Sequence, residues 1–417
     1  MPSDFLPSSD SKSSRLSFTA SETKLLLILA AIQFCNIVDF MVMMPLGPQL
    51  MRLFSITPHH FGLLVSSYNL SAGLSGFLAS FFIDHFDRKK ALIFFVIGFS
   101  VGTLFCALSP RYEILLFARA ATGLFGGVLG SLCFAIVGDA IHPSRRGQGT
   151  GTLMASFSLA SIIGVPLSLF IANKFNWHAP FLMIGALGLI ITVVVMKIMR
   201  PMREHLNQIK EINPIDDLKY IISHPALILG LIMTSFLVLG QFTVIPYLSQ
   251  SFVANAGMLE SQLPLIYLAG GSFTIFTSPA IGRLCDRYGN YRIFFIFLLV
   301  SLIPLFIVTN LGPTSLFLML AIAVCFFVCT SGRMIPAMSI LNSMVPAEKR
   351  GSFMSLVNAC QQLSSATAAY IAGNIVIQSE SGRFENYHIV GYIAISLSIV
   401  CYGLALKLRK TVNSAAN

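Results

Sequence analysis

The stretches SFFIDHFDRKK (residues 80–90) and GRLCDRYGNYR (residues 282–292) decide the fold, because they are two copies of one loop. Each follows an apolar run and places an aspartate shortly before further basic residues. Asp84 and Asp286, the two aspartates, stand 202 positions apart. A loop that recurs at about half the chain length indicates an internal repeat.

A second pair of loops recurs at nearly the same distance. HPSRRG (142–147) and VPAEKRG (345–351) place Arg146 and Arg350 in matching contexts 204 positions apart. Two independent loops thus predict two similar halves. Many secondary transporters are built as such a repeat around a cavity at the bilayer midplane.

Composition excludes a water-soluble fold. Of 417 residues, 55% are hydrophobic and only 11% are charged, whereas a soluble domain is roughly a quarter charged. The net charge of +10 comes from basic residues in short loops, where charge reports orientation, so nucleic acid is not expected as a partner. The eight cysteines form no CxxC pair and are interpreted as packing residues, so neither disulfides nor a metal site is expected.

Twelve apolar runs are long enough to cross a bilayer as helices and too long for barrel strands. The expected fold is therefore all-α and membrane-embedded, with twelve transmembrane helices in two six-helix halves. The runs cover approximately residues 24–48, 61–83, 90–108, 112–138, 150–172, 179–199, 225–252, 262–282, 292–310, 314–342, 352–377 and 389–408.

Loop charges predict the topology. With a cytoplasmic N-terminus, 21 Lys and Arg residues fall on the inner side and 4 on the outer side, as the positive-inside rule requires for an even number of spans with both termini inside. Residues 1–23 lack the features of a cleaved signal peptide. The predicted organisation is a cytoplasmic tail (1–23), an N-terminal half (24–199), a cytoplasmic linker with a short interfacial helix (200–224), a C-terminal half (225–408) and a second cytoplasmic tail (409–417).

These loops resemble the signature of the major facilitator superfamily, G-x-x-x-D-R-x-G-R-R. The second-half copy keeps four positions of that signature. The first-half copy keeps Asp84 and the basic residues Arg88 and Lys89. Ser80, His85 and Asp87 stand where the signature has glycine, arginine and glycine. The resemblance implies alternating access and a gate on the cytoplasmic side, in which the loop carboxylates pair with arginines and helix ends. The predicted gate residues are Asp84, Arg88, Lys89, Arg146, Gly282, Asp286, Arg287, Gly289 and Arg350. For an isolated basic residue, the alternative is a charge that only sets topology.

Further motifs resemble the twelve-span drug:proton antiporter group. ARAATG (118–123) is similar to its R-x-x-x-G motif, and GVPLS (164–168) is similar to G-x-P-x-G except for Ser168. Trp177 in NWHAPF matches the tryptophan of W-R-x-x-F, with histidine in place of arginine. In this group, Gly164 and Pro166 are expected to kink the fifth span and let it approach a neighbour closely. Generic packing by small residues is the alternative.

Asp39 is the only acidic residue deep within a predicted span, which makes it a functional candidate. At 1.5 Å per residue, Asp39 lies about 21 Å above the inner face and Arg119 about 10 Å below the outer face of a core about 30 Å thick. The two depths coincide, and the resemblance to the major facilitator superfamily implies that the first and fourth spans are neighbours facing the cavity. The side chains are therefore predicted to interact directly or through a short relay. Coupling of transport to the proton on Asp39 is one interpretation. A permanent ion pair that only holds the first and fourth spans in register is the other.

Polar residues at similar depth are candidates for lining a substrate cavity, although each is equally consistent with a hydrogen bond between helices. Arg333, which is predicted to lie toward the cytoplasmic end of the tenth span, either attracts an anionic group or extends to the interface. The candidates are Gln33, Asn36, Tyr68, Asn69, Gln241, Tyr247, Arg333, Asn358, Gln361 and Gln362.

The leading functional hypothesis is proton-coupled efflux, by antiport, of small amphipathic or polar compounds. The alternatives are a sugar, lipid or other metabolite efflux permease and a transport-inactive membrane sensor. No Walker loop, HExxH motif or nucleophile elbow is present in the sequence, so enzymatic activity and a cofactor are not expected. The expected partners are protons, a small-molecule substrate and the lipid bilayer, for a monomer in the inner (plasma) membrane of a bacterium.

Overall fold

The computed structural model describes residues 18–142, 145–203, 214–346 and 349–416, and within them the chain is mostly helical. The predicted tail up to residue 17 and the linker residues 204–213 lie outside the described residues. The helices before the linker are α1 (Ala20–Val42), α2 (Gly47–Phe54), α3 (Pro58–Ala79), α4 (Arg88–Ala107), α5 (Tyr112–Ala140), α6 (Arg146–Leu159), α7 (Val165–Lys174) and α8 (His178–Ile198).

The linker contains helix α9, and the second half follows it. The helices are α9 (Pro214–Ser223), α10 (Pro225–Phe242), α11 (Ile245–Ala254), α12 (Leu263–Tyr288), α13 (Asn290–Val300), α14 (Leu302–Thr309), α15 (Leu316–Ser343), α16 (Arg350–Ile375) and α17 (Tyr387–Ala416). A short antiparallel pair, Ile377–Gln378 with Phe384–Glu385, joins α16 to α17. Helix α17 continues beyond the predicted end of the last span at residue 408, because the apolar run marks the span and not the helix end.

Ten helical segments among the described residues are long and apolar enough to cross a membrane. Helices α3 and α16, with 22 and 26 residues, have sufficient length but are not among these ten apolar segments. They pack against each other along the boundary between the two halves. Their polar residues therefore lie where two protein surfaces meet, which explains their lower hydropathy.

Local sequence explains several helix boundaries. Thr19 and Glu22 form a capping box at the start of α1, in which each side chain accepts the other residue's backbone N–H. Thr57 caps α3, and Pro58 follows at its first position, where no N–H is needed. Ser55, at the end of α2, adopts a left-handed conformation with φ of 52°.

The fifth predicted span is interrupted by a π-helical turn at Ala160–Gly164 between α6 and α7. Pro166 follows this turn and has no N–H to offer to Ile162, so a wider turn accommodates the proline ring. Gly164 lies directly against α1, and a Cβ atom on it would stand 2.2 Å from the Val38 Cγ2 atom. The wide turn lies where Gly164 and Pro166 predict a kink in the fifth span.

Replacing Gly164 with alanine is expected to slow transport and lower thermal stability, because the new methyl group overlaps Val38. Overpacking of this kind costs about 1–3 kcal/mol. The double variant Gly164→Ala/Val38→Ala removes the overlapping atoms and should recover most of the loss. Thermal unfolding in detergent measures both proteins. A double variant no more stable than Gly164→Ala alone would contradict the assigned contact.

The two halves meet closely on one side, which the loop charges assign to the outside. There α2 packs against α11, and Arg52 forms an ion pair and two hydrogen bonds with Glu260 of the other half. The Tyr247 hydroxyl donates to the Pro58 carbonyl at 2.8 Å. This surface, called the outer seal below, consists of Arg52, Glu260, Tyr247, Pro58 and the neighbouring Gly62 and Gly373. The two halves are therefore closed together on this side.

Candidate functional site

The carboxylate of Asp39, on α1, meets the guanidinium of Arg119, on α5. The Arg119 Nη1 atom donates to Asp39 Oδ2 at 2.7 Å. Both side chains are buried, with relative exposures of 0% and 1%. The structure thus brings together the two residues whose depths along their helices coincide.

Two further helices complete the surroundings of this pair. Thr103 of α4 donates its hydroxyl to the other carboxylate oxygen, Asp39 Oδ1, at 3.1 Å. Tyr68 of α3 covers Arg119, with its ring centroid 4.4 Å from the guanidinium carbon. This group of four side chains, called the charge site below, therefore joins four helices of the first half.

Asn36 extends the charge site by one layer. The Tyr68 hydroxyl donates to Asn36 Oδ1 at 3.1 Å, and Asn36 Nδ2 donates to the Gly126 carbonyl at 3.1 Å. Phe40 stacks on Tyr68 at 5.6 Å between ring centroids and also approaches Phe242 of the second half at 6.0 Å. The Phe40 ring thus connects Tyr68 of the charge site to Phe242 of the second half.

The charge site is neutral as a unit but sensitive to its contacts. Removing two charges from water costs several kcal/mol per ion, and the pair offsets that cost only while its geometry holds. Arg119 Nε has no hydrogen-bond partner among the described residues, so one donor is available to a new acceptor.

Other predicted cavity residues supply unsatisfied amide oxygens. Gln33 Oε1 and Asn69 Oδ1 in the first half, and Gln241 Oε1 in the second, are buried without a hydrogen-bond partner among the described residues. Asn69 Nδ2 donates to the Val65 carbonyl of its own helix. Unpaired buried acceptors carry a cost that a donor from a solute or water would relieve.

The remaining amides lie along α16. Gln361 donates through Nε2 to Thr234 Oγ1 of α10 at 2.9 Å, so it links two helices of its own half. Gln362 borders Gly73 of α3 at the boundary between the halves. Asn358 is exposed and is the member of this group most accessible to a solute.

Tyr247 occupies a different place from the cavity position predicted for it. Its ring is fully buried, and its hydroxyl lies between Gly62 and Gly373 in the outer seal. Depth along the helix was a poor guide here, because α10 ends at Phe242 and Tyr247 belongs to the separate helix α11.

Arg333 differs from one of its two predicted alternatives, extension to the interface. The side chain is completely buried and does not extend to the interface. Its Nη1 atom donates to Ser398 Oγ at 3.2 Å and Ser301 Oγ at 3.4 Å. Its Nε and Nη2 atoms have no hydrogen-bond partner among the described residues. The guanidinium thus points into the helix packing of its own half.

The predicted cytoplasmic gate residues do not meet across the two halves in the contacts that the structure shows. Arg88 forms an ion pair with Asp139 of its own half at 2.8 Å, and Lys89 donates to the Met196 carbonyl. Arg146 donates to the Ile141 carbonyl. On the other half, Asp286, Arg287 and Arg350 are exposed and Gly282 faces open space. The side chain of Asp84 lies outside the described residues.

Several contacting residues were missed from sequence. In the sequence, Thr103 is only a polar residue within an apolar span. Its hydrogen-bond partner, Asp39, lies 64 positions away, so the sequence does not indicate the contact. Arg52 and Glu260 occupy separate outer loops, so only the fold brings them together. Asp139 lies near the end of α5, and its pairing with Arg88 was not predicted.

A two-halved bundle of long apolar helices with a buried charge pair in one half defines a polytopic membrane transporter fold. The chain belongs to the Major Facilitator Superfamily, whose family profile matches residues 29–369 and 230–416. Within the described residues, membrane-spanning character is supported by ten apolar helical segments.

Relatives agree with this membership. The chain is 25% identical to the uncharacterized MFS-type transporter YceJ of Bacillus subtilis, over 80% of this chain and 85% of that protein. It is also 25% identical to the multi-drug resistance efflux pump PmrA of Streptococcus pneumoniae, over 79% and 81%. A probable sugar efflux transporter of Mannheimia succiniciproducens is 22% identical over 54% and 55%.

Solved structures support the fold. An inward-facing, unoccupied bacterial homologue of the human lysosomal transporter Spinster aligns with a TM-score of 0.75 at 15% identity, covering 95% of this chain and 98% of that one. A D-xylose–proton symporter aligns with a TM-score of 0.75 at 14% identity, covering 92% and 98%. At these identities the likeness concerns the fold alone.

Proposed function

We propose that this protein is a proton-coupled exporter that exchanges small amphipathic or polar compounds for protons by alternating access. The observation that carries the proposal is the charge site, in which the one deep carboxylate of the spans is buried against Arg119. A relative named as a multi-drug efflux pump adds support for the direction of transport. Binding of a proton to Asp39 and binding of substrate are mutually competitive in this mechanism.

The chain's own groups perform the coupling. With the outer side closed, a solute that enters from the cytoplasm offers donors to Gln33, Asn69 and Gln241. The side-chain oxygens of these residues have no partner within the part of the chain that the structure describes. The ion pair of Asp39 with Arg119 forms as Asp39 releases its proton to the cytoplasm, and rearrangement around Tyr68 and Phe40 links that step to the bound solute. After the outer seal opens, Asp39 takes a proton from the outside and the solute leaves.

The architecture proposed for this cycle has twelve spans, with α3 and α16 completing the ten apolar segments, and both termini in the cytoplasm. The predicted gate residues would close the inner side when the outer seal opens. The protein would reside as a monomer in the inner membrane of a bacterium. Reporter fusions at the C-terminus test the orientation, because a cytoplasmic end gives fluorescent fusions and inactive periplasmic-enzyme fusions.

Asp39→Asn is expected to abolish uphill export in proteoliposomes that carry a pH gradient, because asparagine cannot exchange a proton. Downhill movement of the same compound should persist, since the shape of the site is retained. Glu380→Gln, which neutralises an exposed carboxylate outside the helices, is the matched control and should export like wild type. Uphill export by Asp39→Asn at the wild-type rate would contradict the coupling role.

The second candidate is efflux of a sugar or another metabolite, favoured by the relative named as a probable sugar efflux transporter. The unpaired amide oxygens Gln33 Oε1, Asn69 Oδ1 and Gln241 Oε1 suit hydroxyl-rich solutes as well as amphipathic compounds. A thermal-shift screen of both compound classes separates the two candidates. A protein that binds members of both classes but moves neither would be a sensor.

A further inference from the structure

The two copies of the repeated loop differ at one turn position. In the second half, Gly289 joins α12 to α13 with φ of 89°, a conformation that favours glycine. The corresponding residue of the first half is Asp87, with φ of −56°. There the carboxylate caps α4 by accepting the Lys89 backbone N–H at 2.9 Å. The first-half loop therefore has a charged capping residue, Asp87, where the second-half loop has the glycine turn at Gly289.

The same carboxylate holds the start of the linker. Asp87 Oδ2 accepts from Arg203 Nε at 3.0 Å, and Oδ1 accepts from the Met202 backbone N–H at 3.3 Å. In return, the Arg88 N–H donates to the Met202 carbonyl at 3.2 Å. These four residues, called the linker clasp below, fix the chain leaving α8 against the first turn of α4.

The clasp is built around a shielded carboxylate. The Asp87 side chain is 6% exposed, while Arg203 is 63% exposed. Burial acts to raise the pKa of Asp87, but the Arg203 hydrogen bond and the backbone N–H groups outweigh it and leave the pKa below its usual value. The carboxylate is therefore ionised at neutral pH, and the clasp is complete there.

A separate contact fixes the other end of the linker to the second half. Asp217 of α9 accepts from Lys349 Nζ at 2.8 Å and from the Ser352 hydroxyl. Lys349 also lies over the Tyr220 ring at 4.7 Å. The hydrogen bond that Lys349 donates to Asp217 raises the pKa of Lys349. The linker is thus attached to both halves, on their cytoplasmic ends, while the outer side is closed.

We propose that the linker clasp is a conformational lock that stabilises the outer-closed state by engaging the first-half gate loop through Asp87. The inference rests on alternating access, as proposed above, but not on proton coupling. Closing the cytoplasmic side requires the gate loop to approach the second half, and the clasp holds that loop against residues 202 and 203 instead. Release of Arg203 from Asp87 thus accompanies the change to the outer-open state.

The test measures conformation and needs neither substrate nor a pH gradient. Distances between spectroscopic labels at the exposed positions Gln148 and Arg283 report the separation of the cytoplasmic ends. Asp87→Asn and Arg203→Gln should each lower the ratio of cytoplasm-open to cytoplasm-closed molecules by about threefold to tenfold. The double variant should shift the ratio no further than the larger single effect.

Arg200→Gln is the matched control, since Arg200 is an exposed arginine three residues before Arg203, and it should leave the distances unchanged. If Asp87→Asn fails to fold, Arg203→Gln alone decides, because it alters only an exposed side chain. Unchanged distances in Arg203→Gln, or equal shifts in Arg203→Gln and Arg200→Gln, would overturn the lock. If the clasp variants shift the distances while Asp39→Asn still exports uphill, the lock stands and proton coupling through Asp39 fails.

Discussion

Gly62→Ala is expected to prevent closure of the outer side and to reduce transport to a small fraction of the wild-type rate. A Cβ on Gly62 would stand 2.6 Å from the Tyr247 hydroxyl and 2.7 Å from the Ala369 carbonyl oxygen. The carbonyl belongs to helix backbone and cannot swing away, so α3 and α16 must separate at this level. Overpacking of about 1–3 kcal/mol would shift the conformational ratio by roughly five- to a hundredfold.

Labels at Arg111 and Ser381, in outer loops of the two halves, measure the effect as a longer separation in the variant. Gly403→Ala is the control, because nothing lies within 4 Å of a Cβ at that position. Gly373→Ala should act in the same direction, since its Cβ would meet the Tyr247 hydroxyl at 2.8 Å. An unchanged outer separation in Gly62→Ala would show that the outer seal is not formed as described.

Arg119→Met is expected to lower stability by about 3–5 kcal/mol and to abolish export, because it leaves the Asp39 carboxylate buried without its counter-charge. The double variant Asp39→Leu/Arg119→Met replaces both charges by apolar side chains of similar size. It should recover stability to about the wild-type level but not uphill export. Thermal unfolding and transport, measured on the same preparations, separate the two roles of the pair.

A purely structural ion pair predicts a different outcome for the double variant. If the pair only holds α1 and α5 in register, apolar packing should restore transport together with stability. Uphill export by Asp39→Leu/Arg119→Met at the wild-type rate would therefore favour the structural role. Arg52→Met removes one charge from an exposed ion pair of the outer seal and serves as the comparison. It should lower the free energy of unfolding by about 1 kcal/mol or less.

Sequence was sufficient for features that depend on helix rise. Because every residue adds 1.5 Å, the depths of Asp39 and Arg119 followed from their distances to the ends of their spans. The contact between them followed from those depths and the family resemblance. The repeat of loops likewise predicted two halves before any contact was known.

Sequence was insufficient for features that depend on helix rotation and on the conformation adopted. Arg333 was placed at a reasonable depth, but its direction toward Ser301 and Ser398 is set by packing. Tyr247 lies in the outer seal only because this structure is closed on that side. Asp87 was seen as a departure from the gate-loop pattern, yet its role depends on Arg203, which is 116 positions away. Local patterns carry no information about such distant partners.

The measurement that tests the central account most directly is the affinity for an exported compound as a function of pH. Titrations with purified wild-type protein and with Asp39→Asn are compared across the same pH range. If a proton and substrate compete through Asp39, wild-type affinity falls as the pH is lowered and the affinity of Asp39→Asn stays constant. A wild-type affinity independent of pH, or the same pH dependence in both proteins, would contradict proton-coupled exchange at the charge site.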